Sequence, residues 1–199
     1  NCNYFQTIRV INLRYIRLYF IKSFNYDAHM FTFKNKYFLI IENTKDIDLK
    51  NIKLTNKYII IYRNTNKIEN IDNLIRFRRY CRSKKIDFYI SNDEKLTSDL
   101  KADGLYISAY NKNLRLAKLK RSNFKIIGSA HNIKELNIKK LQGCSSVIFS
   151  RLFEVSSPFK KGFMGVIKFN LFRLSRKENL VPLGGINLSN LNKLKMVKS

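Results

Sequence analysis

Short apolar runs punctuate the chain at nearly even intervals from residue 37 onward. Tyr37–Ile41 (YFLII), Tyr58–Tyr62 (YIIIY), Asp87–Ile90 (DFYI), Gly104–Ile107 (GLYI), Phe124–Gly128 (FKIIG), Ser146–Phe149 (SVIF) and Leu180–Leu183 (LVPL) each read as a strand. They are rich in β-branched and aromatic residues and do not alternate with polar ones, the pattern of strands buried on both faces. Between them lie segments of helical period: 70–84, 93–101, 114–119, 133–141, 165–174 and 188–196. Asn132 and Asn187 stand where an N-cap is expected for two of these. The repeat of about 20 to 25 residues per unit is the βα alternation of a parallel sheet. The pattern therefore predicts an α/β protein, a TIM-type (β/α)8 barrel of which seven strands are present. A doubly wound sheet fits the same string, but no G-x-G-x-x-G follows the first strand.

The organisation expected is an N-terminal extension over 1–36 and a barrel domain over 37–199. At 199 residues the chain is short for an eight-stranded barrel; it does not open on Met and stops soon after Gly185. The expectation is a fragment that lacks its eighth strand. Residues 10–21 are apolar but interrupted by Arg14 and Arg17, so a basic amphipathic surface helix is the alternative to an extension packed on the domain. No run of eighteen uncharged apolar residues occurs, which argues against a membrane span.

Composition adds one puzzle. The formal charge is +25, and the densest basic run, Arg76, Arg78, Arg79, Arg82, Lys84 and Lys85, lies on a predicted helix. That invites nucleic acid as a partner. Against it, the basic residues are scattered along a chain crowded with Lys, Asn and Ile, and a solvated outer helix face accounts for the run. Nucleic acid is therefore not the favoured partner. Three widely spaced cysteines, Cys2, Cys81 and Cys144, form no C-x-x-C and fit a reducing cytoplasm.

In a barrel the residues just after each strand face the site. That rule selects Arg63, Asn92 and Asp93, Ser108 to Asn111, Ser129 and His131, Ser150 and Arg151, and Gly184 and Gly185. Asn92 and Asp93 could instead cap the following helix, and His131, with no carboxylate beside it by sequence, reads first as a loop residue. Asp103-Gly104 reads as a tight turn. Gly184-Gly185-Ile186-Asn187 joins a strand to a helix, a turn whose amides bind an anion without any side chain. The ligand expected is a small phosphorylated molecule.

The succession NDEKLTSDLKADGLYIS, IIGSAHNIKEL, GCSSVIFSRLFEVSSPFKKGFMG and VPLGGIN resembles the thiamine phosphate synthase family, over residues 58 to 190. The resemblance implies a barrel that joins a pyrimidine methyl pyrophosphate to a thiazole phosphate, with magnesium (Mg2+) and release of pyrophosphate. It implies that Arg63 is a catalytic residue holding the pyrimidine pyrophosphate, that Asn92 binds substrate and that Asp93 is a metal ligand. Ser129 becomes a substrate-pocket and catalytic residue, Lys160 or Lys161 the lysine of the loop after the sixth strand, and Gly184 and Gly185 the thiazole phosphate cradle. Three positions depart from the family. Its glutamine and lysine beside the arginine are here Ile61 and Thr65, and its second metal carboxylate falls at Asn111 or nearby. A non-catalytic relative that binds a phosphorylated thiazole or thiamine compound is the alternative these departures raise.

Overall fold

The computed structural model describes residues 37–52, 58–64, 69–121, 125–154, 162–186 and 189–197. The extension expected over 1–36 lies outside them, as do Thr65, Lys160, Lys161 and Asn187. The elements in order are β1 (Tyr37–Ile41), β2 (Tyr58–Tyr62), α1 (Ile71–Ser83), β3 (Asp87–Ser91), α2 (Glu94–Asp99) and β4 (Gly104–Ile107). A 3-10 helix (Leu114–Arg121) leads to β5 (Lys125–Ala130), α3 (Ile133–Leu141), β6 (Ser146–Ser150), α4 (Gly165–Leu174), β7 (Asn179–Leu183) and α5 (Leu191–Leu194). All six strand pairs are parallel and the strands follow chain order, β1-β2-β3-β4-β5-β6-β7. Among the described residues β1 and β7 are the two edges.

Strand alternation divides the core into an inner and an outer layer, because successive side chains point to opposite faces. Ile59, Ile61, Tyr89, Tyr106, Ile127 and Ile148, from five different strands, pack as one cluster with Phe38, Ile40, Val181 and Leu183. No helix contributes to that cluster, so it fills the concave side of a curled half-barrel. The intervening residues Leu39, Ile60, Phe88 and Ile90 face outward and pack with Leu74 and Cys81 of α1 and Leu96 of α2. Val147, Phe149 and Leu180 do the same with Leu136 of α3 and Val166 and Phe169 of α4. Both faces of each central strand are thus buried, which is why the strands read as unbroken apolar runs.

Five details differ from the sequence expectation. β5 runs to Ala130, so Ser129 lies within the strand rather than after it. The segment at 114–121 is a 3-10 helix, and the last helix spans only Leu191–Leu194. Arg78 is not on a solvated face: it is 8% exposed, and its Nε and Nη2 both donate to Lys101 O at 3.1 Å. Asp103 is more than a turn residue. Its Oδ1 lies 2.7 Å from Arg78 Nη2, and its Oδ2 accepts from Phe88 N at 2.8 Å. This ion pair ties α1 to the amino-terminal ends of β3 and β4, the end of such a fold that stabilises rather than reacts.

Candidate active site at the carboxyl ends of the strands

The site is built where the inner layer reaches the carboxyl ends of the strands. Tyr106 points inward from β4, and its hydroxyl donates to Ser129 Oγ on β5 at 2.8 Å. Burial pushes the Tyr106 hydroxyl pKa up, with the Ser129 bond and the nearby Arg63 charge pulling partly the other way. Tyr106 therefore stays a neutral donor at physiological pH, which leaves the Ser129 hydroxyl proton free for another acceptor. Arg63, half-buried just after β2, has its backbone N–H bound to Ile41 O at 2.8 Å. The structure thus brings Arg63, Tyr106 and Ser129 to one mouth.

Ser91 was not singled out by sequence. It continues the inward parity of Tyr89, and its buried Oγ has no hydrogen-bond partner. A buried hydroxyl without a partner is costly, and the strand register sets Ser91 beside Tyr106, next to the Tyr106–Ser129 pair. The signal in the sequence was its position two residues after Tyr89 on the inner face. Ile61, at the family's glutamine position, is fully buried in the inner layer and offers no polar group.

Asn92 and Asp93 divide two tasks. Asn92 adopts a φ of 59°, and its N–H donates to Tyr106 O at 2.8 Å. Its Oδ1 accepts from Ser108 N (3.0 Å) and Asn111 Nδ2 (3.1 Å), while its Nδ2 donates to Ser108 Oγ (3.0 Å). Its side chain is committed to the loop after β4. Asp93 does cap α2, its Oδ1 accepting from Leu96 N at 2.8 Å, and the capping bond leaves Oδ2 available to a cation. Among the described residues no group of three or more His, Cys, Asp or Glu side chains could hold a metal. The Asn111 Oδ1 is occupied by Asn113 N at 2.9 Å. Magnesium is commonly held by one or two carboxylates and the substrate's own phosphates. The single carboxylate of Asp93 meets the lower end of that requirement.

Gly184 and Gly185 have φ values of +100° and +67°. The loop after β6 runs alongside them, with Leu152 N donating to Leu183 O at 2.8 Å and Phe153 N to Gly184 O at 3.0 Å. A Cβ on Gly185 would collide with the Phe153 and Glu154 carbonyl oxygens. Close backbone packing is therefore one reason for the glycine pair, beside the anion-binding reason read from sequence.

His131 has a carboxylate neighbour that sequence did not place there. Its Nδ1 lies 3.1 Å from Glu135 Oε2, and its N–H donates to the same oxygen at 2.7 Å. Asn132 Oδ1 in turn accepts from Glu135 N at 2.9 Å. Asn132 is the N-cap of α3, as its place in the sequence suggested, and the Glu135 side chain reaches past it to the His131 N–H. Lys139 and Gln142 on the outer side of β5 were also missed, and both are fully buried.

A parallel half-barrel with polar groups at the carboxyl ends of its strands defines a β/α-barrel protein. A family model described as thiamine monophosphate synthase matches residues 40–198, and the chain belongs to that family. It is 26% identical over 118 residues to a thiamine-phosphate synthase of Prochlorococcus marinus, covering 59% of this chain and 34% of that one. To the thiamine-phosphate synthase of Pelagibacter ubique it is 28% identical over 138 residues, 67% of this chain and 66% of that one. The chain thus spans about a third and just under two thirds of these two relatives. The fold is similar to that of a thiamine phosphate pyrophosphorylase from Pyrococcus furiosus, with a TM-score of 0.60, 18% identity and 81% of each chain covered.

Proposed function

We propose that this protein couples a pyrimidine methyl pyrophosphate to a thiazole phosphate and releases pyrophosphate. The observation that carries the reading is the joint placement of Arg63, Ser91, Tyr106 and Ser129 at one mouth, in a chain of this family. In the reaction the bond from the pyrimidine methylene to pyrophosphate breaks as the thiazole nitrogen bonds to the same carbon. Negative charge builds on the leaving group, so a cation held against it lowers the barrier. Arg63 supplies such a charge, and the Ser129 and Ser91 hydroxyls are the donors beside it. Bound magnesium would neutralise part of the pyrophosphate charge, and Asp93 is the residue that would hold it. Gly184 and Gly185, on the β7 side, take the thiazole phosphate. A reducing cytoplasm is the compartment this reading takes, supported by three widely spaced cysteines that form no C-x-x-C. No helix among the described residues is long and apolar enough to cross a membrane.

Arg63→Met and Asp93→Asn test the assignment in a pyrophosphate-release assay with both substrates and magnesium. Each should lower kcat/KM by roughly a hundredfold or more. Equal rates in wild type and both variants would refute the roles given. Ile61 and Asn111, which replace polar and acidic groups of the family, favour one other reading: a protein that binds the thiazole phosphate without turnover. That reading predicts saturable binding of thiazole phosphate and no pyrophosphate release.

A further inference from the structure

Lys139 is an ammonium group placed where the fold needs none. It lies on α3 with no exposed surface, its stem running beneath Gly128 of β5, where a Cβ would come within 2.8 Å of Lys139 Cδ. Burial pushes its pKa down, with Cys144 and Glu135 acting in the other direction. An apolar chain of equal length would fill this channel without the cost of burying a charge. What the lysine adds is its hydrogen bonds. Nζ donates to Asn111 O at 2.6 Å and to Gln142 Oε1 at 2.9 Å. Gln142 Nε2 lies 3.0 Å from Asn111 O and 3.1 Å from Asn113 O. Two buried side chains, Lys139 of α3 and Gln142 just past its end, thus grip the main chain of the loop after β4 from outside the barrel.

That loop is the one to which the site is tied. Asn111 Nδ2 donates to Asn92 Oδ1, and Asn92 also holds Ser108 through two bonds. Asn92 is followed directly by Asp93. We propose that Lys139, with Gln142, is a positioning residue: it fixes the Asn111–Asn113 loop and, through the Asn111–Asn92 bond, sets the Asn92-Asp93 corner that receives the pyrophosphate-bearing substrate. The inference rests on the function proposed above for its substrate. The mechanical relay itself stands on these distances.

Lys139→Met keeps the unbranched stem as far as the ε position and removes the grip of Nζ. The KM for the pyrimidine pyrophosphate should rise on the order of tenfold, while the KM for the thiazole phosphate stays within about twofold, because only one side of the mouth loses its support. Amide exchange should accelerate over residues 108–116 and remain unchanged in β5 and α3. Equal rises in both KM values, or exchange that accelerates only in α3, would overturn the proposal. Asn111→Ala gives a second arm, since it leaves the main-chain carbonyl held by Lys139 and cuts the side-chain bonds to Asn92 Oδ1 and from Asn113 N. It should reproduce the selective KM rise while exchange accelerates at most at Asn113, whose N–H it frees, and the double variant should raise KM no further. An unchanged KM in Asn111→Ala would refute the relay even if Lys139→Met does not fold. Should the wild type show no turnover, the proposed function fails, while amide exchange still decides whether Lys139 holds the loop.

Discussion

The carbonyl oxygens of Phe153 and Glu154 occupy the space into which any side chain on Gly185 would project. With φ at +67° the residue also sits in backbone territory that favours glycine. Gly185→Ala should therefore cost roughly 2–4 kcal/mol in urea unfolding, from strain and displaced backbone together. A variant as stable as the wild type would show that the β6 and β7 loops do not pack as described. Single residues also mark where local pattern stops being informative. Arg78 has the spacing and the basic neighbours of a solvated helix face, yet it reaches Lys101 O and Asp103 across the fold. Nothing near it in sequence encodes that reach, because the acceptors lie more than twenty positions away.

At the scale of elements, α3 shows how a helix start can couple stability to pH. Burial alone would raise the pKa of the Glu135 carboxyl, but bonds from the His131 backbone and ring and from Asn132 hold it below its ordinary value of 4.5. A carboxyl whose folded pKa is depressed adds stability above its unfolded pKa and loses it as pH falls through the folded one. Glu135→Gln should therefore destabilise the protein at neutral pH and flatten its loss of stability through the carboxylate range, as followed by urea unfolding across that range. Parallel acid limbs in variant and wild type would contradict the assignment. The seven strands were legible because burial on both faces leaves runs such as Ile59-Ile60-Ile61 with no polar interruption. The end of β5 was not. Ser129 and Ala130 look like loop residues, but pairing with Ile148 and Phe149 of β6 keeps them in the strand. The candidate mouth was legible in part: Arg63 and Asp93 follow from strand ends, while Ser129 was selected as a residue after a strand that in fact includes it. Ser91 and Lys139 depend on parity and on a partner element, which emerge only once the sheet is assembled.

For the whole molecule, the charge of +25 divides between buried groups that serve the structure and a basic surface. Arg78 and Lys139 are buried and serve the fold and the rim, so they cannot form part of a nucleic-acid face. The remaining positive charge would favour the approach of the anionic substrates proposed above. The central claim is that both substrates meet at the carboxyl ends of the strands and leave as one coupled product. A product balance tests this most directly, with the protein, magnesium and both substrates present and each substrate omitted in turn. The account predicts pyrophosphate and thiamine phosphate in equal amounts, and neither product when either substrate is left out. Pyrophosphate released without the thiazole phosphate, or no coupled product with both substrates present, would contradict it.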